Sequence, residues 1–275
     1  MLHNETHWQT KDGVNIYGQV WRPDDKPKAT IALIHGLGEH TGRYQHVAQF
    51  FTQAGYALST MDLRGHGQSG GPRGHFPSFQ IVMADIQQLL DETQKTFQNT
   101  PLFLYGHSLG GSLVLYFGLT QKSSIKGIIA TAPALTTGSP VPAVKLIAGK
   151  MLNLIAPQFA MNNGLGFDSL SHDPEVKKVY LNDPLVHSMI SARLGIQLLN
   201  AGKWIRSHKG QFPYPLLLMQ GGDDRIVNAA ANREFAQGLT GDVTFKWWPG
   251  LCHELHNEYN KDEVMAVMID WLNKR

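Results

Sequence analysis

Residues 102–119 read LFLYGHSLGGSLVLYFGL, and this stretch decides the fold. Leu102–Tyr105 is a short apolar run of the kind a buried strand shows. Gly106-His107-Ser108-Leu109-Gly110 then matches G-x-S-x-G, and Leu109 opens a helical run to Thr120. A sharp strand-to-helix turn pushes its serine outward in a strained conformation, and only glycines leave room for the flanking backbone. The helix N-terminus that follows favours negative charge near the serine. Context carries this reading, because the bare pattern arises by chance. Gly67-Gln68-Ser69-Gly70-Gly71 also matches it, but follows no strand, runs into Pro72 and reads as a loop.

Working outward, apolar runs at Thr30–His35, Ala57–Asp62, Ile125–Ala132, Leu216–Gln220 and Val243–Trp248 alternate with helical patterns. The helix candidates are Tyr44–Ala54, Ile81–Phe97, Leu109–Thr120, Ala229–Leu239 and Asp262–Asn273. Such alternation predicts an α/β fold with a mostly parallel sheet between helices. The opening differs: Glu5–Thr10 and Ile16–Trp21 flank Lys11-Asp12-Gly13, the pattern of an antiparallel hairpin turned at Asp-Gly. From Pro133 to Gln211 no strand is expected, far longer than an ordinary connection. This predicts a core of residues 1–133 and 211–275. Residues 134–210 would be an inserted helical cap, return helix included, over the sheet edge where α/β folds bind ligands.

Composition narrows the function. The chain has 275 residues, 42% hydrophobic and 17% charged, which fits a large core and not a disordered chain. A net charge of +2 gives no bulk attraction to nucleic acid. Cys252 is the single cysteine, so an intrachain disulfide and a Cys-rich zinc site are excluded, and a reducing compartment is the simpler reading. The first ten residues, MLHNETHWQT, read as neither signal peptide nor anchor, and no run reaches the roughly 18 apolar residues of a membrane span. The expectation is a cytoplasmic protein, at most peripheral at a membrane surface.

A serine hydroxyl needs a neighbouring base, usually a histidine oriented by a carboxylate. On a sheet with this turn the partners follow in the order Ser, Asp or Glu, His. The loop after LLLMQ offers Asp223 and Asp224, and the loop after VTFKWW offers His253 and His256. Position favours Asp224 and His253, with Asp223 and His256 as alternatives. A zinc reading of His253-Glu254-Leu255-His256 fails, because H-E-x-x-H needs histidines at i, i+4. Acyl transfer also needs about two preorganised N–H donors for its oxyanion. Leu109 supplies one, and the turn at His35-Gly36-Leu37-Gly38 leaves the N–H of Leu37 for the other. His35 should pack beneath the site.

With these pieces in place, the chain resembles the monoacylglycerol lipase and lysophospholipase branch of the serine α/β-hydrolases. The carrying stretches are HGLGEHTGRY (35–44), DLRGHGQSGGPRGH (62–75), GHSLGG (106–111), DPEVKKVYLNDPLV (173–186) and QGGDDRIV (220–227). The resemblance implies a triad of Ser108, Asp224 and His253, with oxyanion donors on Leu37 and Leu109. It also implies that Glu39, Arg43 and His256 shape a glycerol site, although Glu39 and Arg43 also read as a loop-stabilising pair. Leu37 departs from relatives that carry a smaller residue, and its side chain should narrow the entrance.

The cap carries one strong pattern. On a wheel of Val141–Ala156, Val144, Ile147, Ala148, Met151, Leu152, Leu154 and Ile155 share an apolar arc about 160° wide, more than the ~100° a surface helix buries. One part of it would pack down to line an acyl pocket and another would face a bilayer, with Lys145 and Lys150 near headgroups. The alternative is a plain core-packed helix. The reading as a whole is an enzyme hydrolysing a small lipid ester, monoacylglycerol, without cofactor or metal.

Overall fold

The computed structural model describes residues 1–164, 166 and 169–275. Eight strands form the central sheet: β1 (Leu2–Gln9), β2 (Asn15–Arg22), β3 (Thr30–Ile34), β4 (Ala57–Met61), β5 (Leu102–His107), β6 (Ile128–Thr131), β7 (Leu216–Gly221) and β8 (Val243–Trp248). Their order is β1-β2-β4-β3-β5-β6-β7-β8. β1–β2 and β2–β4 are antiparallel, and every other neighbouring pair is parallel. The expected hairpin is present, with Gly13 at φ 84° in its turn.

The alternation of side chains along each strand builds two cores. Ala32 and Ile34 of β3 join Leu102 and Leu104 of β5 on one face. Ile31 and Leu33 join Phe103 and Tyr105 on the other. Helices α2 (Phe79–Thr96) and α3 (Leu109–Thr120) cover the first face, and α1 (Gln45–Gln53) and α8 (Lys261–Leu272) the second. Covering on both faces is why the central strands are continuously apolar rather than alternating. Ser78 starts α2 by accepting the N–H of Ile81 at 3.2 Å.

Between β6 and β7 lie α4 (Ala143–Ile155), α5 (Pro174–Asn182) and α6 (Ala192–Ser207), followed after β7 by α7 (Ala229–Gln237). Two expectations are corrected here. The segment is not free of strands: Ala160–Asn162 pairs antiparallel with Met189–Ser191. Three residues are too few for a period to be read, and backbone bonds alone define the ribbon. The alternative of a plain core-packed helix also fails, whereas the outward-facing part of the expected arc is present. No residue of α4 is buried. It lies on α6 through the side holding Gly149, against Ile196, and Asn153, which accepts from Arg193 Nε at 2.9 Å. The apolar arc faces outward, with Val144 78%, Leu154 82% and Ile155 78% exposed. α4 ends at Ile155, two residues before Pro157.

Candidate active site

The sheet delivers four loops to one edge. Ser108 follows β5, Leu37 follows β3, Asp224 follows β7 and His253 follows β8. Ser108 sits at φ 55°, ψ −115°, a left-handed conformation for a non-glycine residue. The turn is closed by its neighbours: a Cβ on Gly106 would strike the carbonyl of Gly110, and one on Gly110 the carbonyl of Ile34. The Ser108 N–H donates to Thr131 O at 3.0 Å, fixing the turn to β6.

Ser108 Oγ lies 2.9 Å from His253 Nε2, and His253 Nδ1 lies 2.7 Å from Asp224 Oδ2. Asp224 is buried, whereas Asp223 is exposed. Asp224 Oδ1 accepts the N–H groups of Ile226 at 2.9 Å and Val227 at 3.0 Å. Gln220 Nε2 donates to Oδ2 at 3.0 Å. Burial alone would raise the Asp224 carboxyl, but the His253 imidazole and these donors hold it below the usual range. Burial would likewise lower His253, and the Asp224 carboxylate overcomes it and raises the imidazole. A raised imidazole facing a serine hydroxyl is the electrostatic arrangement of a general base.

Neither the N–H of Leu37 nor that of Leu109 has a partner among the described residues. Leu109 is the first residue of α3, where an N–H has no intrahelical acceptor. His35 is fully buried beneath the turn, with Nδ1 2.7 Å from Gly36 O and Nε2 accepting the Leu63 N–H at 2.9 Å. Ser69 is buried and structural: its hydroxyl donates to Asp62 O at 2.6 Å and accepts the Tyr17 N–H at 3.0 Å.

Glu39 and Arg43 form part of a buried network. Arg43 Nη1 reaches Glu39 Oε2 at 2.6 Å, and its two terminal nitrogens grip Glu254 at 2.7 Å each. Burial opposes charge here, yet Arg43 holds Glu254 well below the usual carboxylate range. Glu39 and Glu254, with His107 and His253, form the polar part of the lining of a cavity beside Ser108, which Leu170 and Tyr180 also line. His256 does not line it. His256 is fully buried, stacked on Tyr44 at 4.9 Å and edge-on to His107 at 4.8 Å, with both ring nitrogens unpartnered among the described residues. The expected placement of His256 at the glycerol site is therefore corrected. The chain turns into a short helical segment at Leu255–Asn257, which directs this ring into the core.

A second, apolar cavity runs from Ser108 under the cap, lined by Leu135, Ile190, Leu198, Leu199 and Val227 among others. Leu37 lines both cavities. The sequence reading missed Gln220 and Asn232. Asn232 Nδ2 donates to Gln220 Oε1 at 2.7 Å and to Pro133 O at 2.8 Å, so it ties the Asp224 carboxylate, through Gln220, to the chain's exit from β6. Gln220 closes the apolar run LLLMQ, and a polar residue ending a central strand was the available signal.

A serine, histidine and aspartate in hydrogen-bonded series at the C-terminal strand ends define a serine hydrolase of the α/β-hydrolase fold. The chain belongs to the family described as Serine aminopeptidase, S33, whose model matches residues 25–260. It is 33% identical to a monoacylglycerol lipase of Mycolicibacterium smegmatis, over 94% of this chain and 93% of that one. It is 37% identical, over its whole length, to an uncharacterised abhydrolase domain-containing protein of Dictyostelium discoideum, of which the match spans 29%. The crystal structure of Paleococcus ferrophilus monoacylglycerol lipase superposes with a TM-score of 0.83 at 30% identity, covering 99% of this chain and 98% of that one.

Proposed function

We propose that the protein is a serine carboxylic ester hydrolase that cleaves monoacylglycerols to fatty acid and glycerol through an acyl-enzyme. The observation that carries this reading is the position of Ser108, which together with Leu37 and Ile226 lines both the apolar and the polar cavity. An ester with a long apolar acyl chain and a small polar alcohol matches a serine between two such arms. Ser108 attacks the carbonyl, His253 takes its proton, and Asp224 stabilises the imidazolium. The N–H groups of Leu37 and Leu109 receive the oxyanion. His253 then protonates the leaving glycerol, and water, activated by the same imidazole, releases the fatty acid. No step calls for a metal or cofactor.

The charge of the polar arm favours glycerol over a phosphodiester alcohol. Its lining carboxylates, Glu39 and Glu254, would repel a phosphate, and the nearby Arg43 is already committed to both of them. Residues 134–210 act in this reading as a cap. The outward arc of α4 would contact lipid peripherally and pass substrate to the site, since a further cavity between α4 and α6 shares Ile190, Leu198 and Leu199 with the apolar arm. No helix among the described residues is long and apolar enough to cross a membrane.

Hydrolysis rates on a monoacylglycerol, a lysophospholipid and a p-nitrophenyl ester of one acyl chain test the proposal. Monoacylglycerol should give the highest kcat/KM of the two lipids. Preference for the lysophospholipid would refute the assignment of the polar arm. Product analysis with added glycerol separates hydrolysis from acyl transfer to an alcohol.

A further inference from the structure

Behind the loop that carries His253, three side chains of metal-ligating type converge. Among the described residues, His172, Cys252 and Glu258 bring one donor atom each within 4.8 Å of one another. Cys252 Sγ is 3.7 Å from His172 Nδ1, and that nitrogen is 3.0 Å from Glu258 Oε1 and 3.3 Å from Oε2. A tetrahedral Zn²⁺, with bonds of about 2.3 Å to sulfur and about 2.0–2.1 Å to nitrogen and oxygen, separates S from N by about 3.5 Å and N from O by about 3.3 Å. Both of these edges are close to the tetrahedral values, and the sulfur-to-carboxylate edge lies within 4.8 Å, so the set would close around an ion by drawing Cys252 and Glu258 together.

The surroundings support ligation. The Glu258 side chain is almost wholly buried and is held by the N–H of Cys252 at 2.6 Å, the N–H of His172 at 3.1 Å and the Ser171 hydroxyl at 3.3 Å. Such outer contacts orient a ligand before the metal arrives. The His172 side chain is 48% exposed, which gives an entry path and a fourth position for water. One thiolate and one carboxylate would balance the two positive charges of the ion.

We propose that His172, Cys252 and Glu258 form a binding site for a borderline-soft divalent cation, Zn²⁺ above all, that clamps the segment before α5 to the loop carrying His253. On binding, the Cys252 thiol releases its proton to solvent, Sγ, Nδ1 and a Glu258 oxygen take the ion, and the imidazole carries its remaining proton on Nε2. The thiol–imidazole–carboxylate set is borderline-soft, which disfavours Mg²⁺ and Ca²⁺. The clamp would reinforce bonds already present there, from the His253 N–H to Ser169 O at 3.3 Å and from the Glu254 N–H to Leu170 O at 2.7 Å. This assignment is independent of the substrate class.

Titration of the reduced protein with Co²⁺, followed by competition with Zn²⁺, tests it. Because Cys252 is the single cysteine, a near-ultraviolet thiolate-to-cobalt band reports this residue alone. One equivalent of Co²⁺ should produce that band with the visible spectrum of a tetrahedral site, and Zn²⁺ should abolish it. His172→Ala, at a half-exposed position, should bind at least about tenfold more weakly. Cys252→Ser should lose the charge-transfer band. Absence of the band in the native protein, or unchanged affinity in His172→Ala, would overturn the proposal.

Discussion

Glu39 Oε1 accepts the backbone N–H of Gly36 at 2.6 Å, one residue before the Leu37 N–H. The same oxygen accepts the Tyr44 hydroxyl at 2.8 Å, and Arg43 holds the other oxygen. The carboxylate therefore fixes the turn that presents the proposed oxyanion donor, besides lining the cavity with Glu254. Glu39→Ala should lower kcat on a p-nitrophenyl ester about tenfold to a hundredfold, less than removal of a donor itself. The loss on monoacylglycerol should be larger by the contribution of the polar contact. An unchanged kcat on both esters would remove Glu39 from either role.

Ser108→Ala and His253→Ala should each cost roughly 10⁴-fold or more in kcat, and the double variant little beyond, because the residues act as a unit. Asp224→Asn should cost roughly 10⁴-fold through the wrong imidazole tautomer, while exposed Asp223→Asn should be close to native. Ser69→Ala should keep kcat but lose about 1–3 kcal/mol of stability, since it leaves a buried N–H without its acceptor. Steady-state kinetics and thermal melts on these six variants separate the effects. A dead Asp223→Asn with an active Asp224→Asn would reverse the assignment.

The acid limb of kcat/KM carries the state of His253. Its imidazole is raised above 6.5, so the protonated, inactive form persists above that pH and activity should climb only beyond it. In Asp224→Asn the raising carboxylate is gone and burial remains, which lowers an imidazole. The His253 titration, read by NMR, should therefore move down in that variant, while Glu254 and Glu39 still favour the charged ring. A midpoint unchanged from the native protein would mean that Asp224 is not what raises it.

The fold was legible because its strands are continuous apolar runs and its turns carry glycines at sterically forced places, Gly106 and Gly110 above all. The loop positions of Ser108, Asp224 and His253 followed from strand ends, where a side chain has little freedom of place. The burial of His256 and the choice between a packed and an outward-facing α4 were not legible, for a common reason. Periodicity and spacing say that a residue is polar or apolar, but not which surface another segment will cover. His256 is polar and buried, and α4 is apolar and exposed. Asn232 and Gln220 stayed hidden because their contacts join segments far apart in the chain.

If His256 is a packing residue, a ring of similar size without nitrogens should serve as well. His256→Phe keeps the stack on Tyr44 and removes two unpartnered ring nitrogens, so Tm should hold or rise. His256→Ala should lose about 2–5 kcal/mol by opening a cavity. The ratio of activities on monoacylglycerol and p-nitrophenyl ester should stay native in His256→Phe. A selective fall on monoacylglycerol would return His256 to the glycerol site.

The outward arc of α4 offers Leu154 and Ile155 to a lipid surface in the proposed reading. Burying an exposed leucine side chain in lipid is worth about 1.5–3 kcal/mol, so two such residues account for a large part of a peripheral attachment. Leu154 and Ile155 touch little in the protein, and their replacement should not disturb folding. Leu154→Glu with Ile155→Glu should weaken binding to phosphatidylcholine vesicles by at least about tenfold, since it removes apolar area and adds charge at the interface. Hydrolysis of vesicle-borne monoacylglycerol should fall in parallel, whereas a short, water-soluble p-nitrophenyl ester should be cleaved at the native rate, because the triad lies beneath the cap. Equal loss on both substrates would mean that α4 shapes the site itself. Native activity on vesicles would show that the arc contacts no bilayer, and substrate would then have to reach Ser108 from solution.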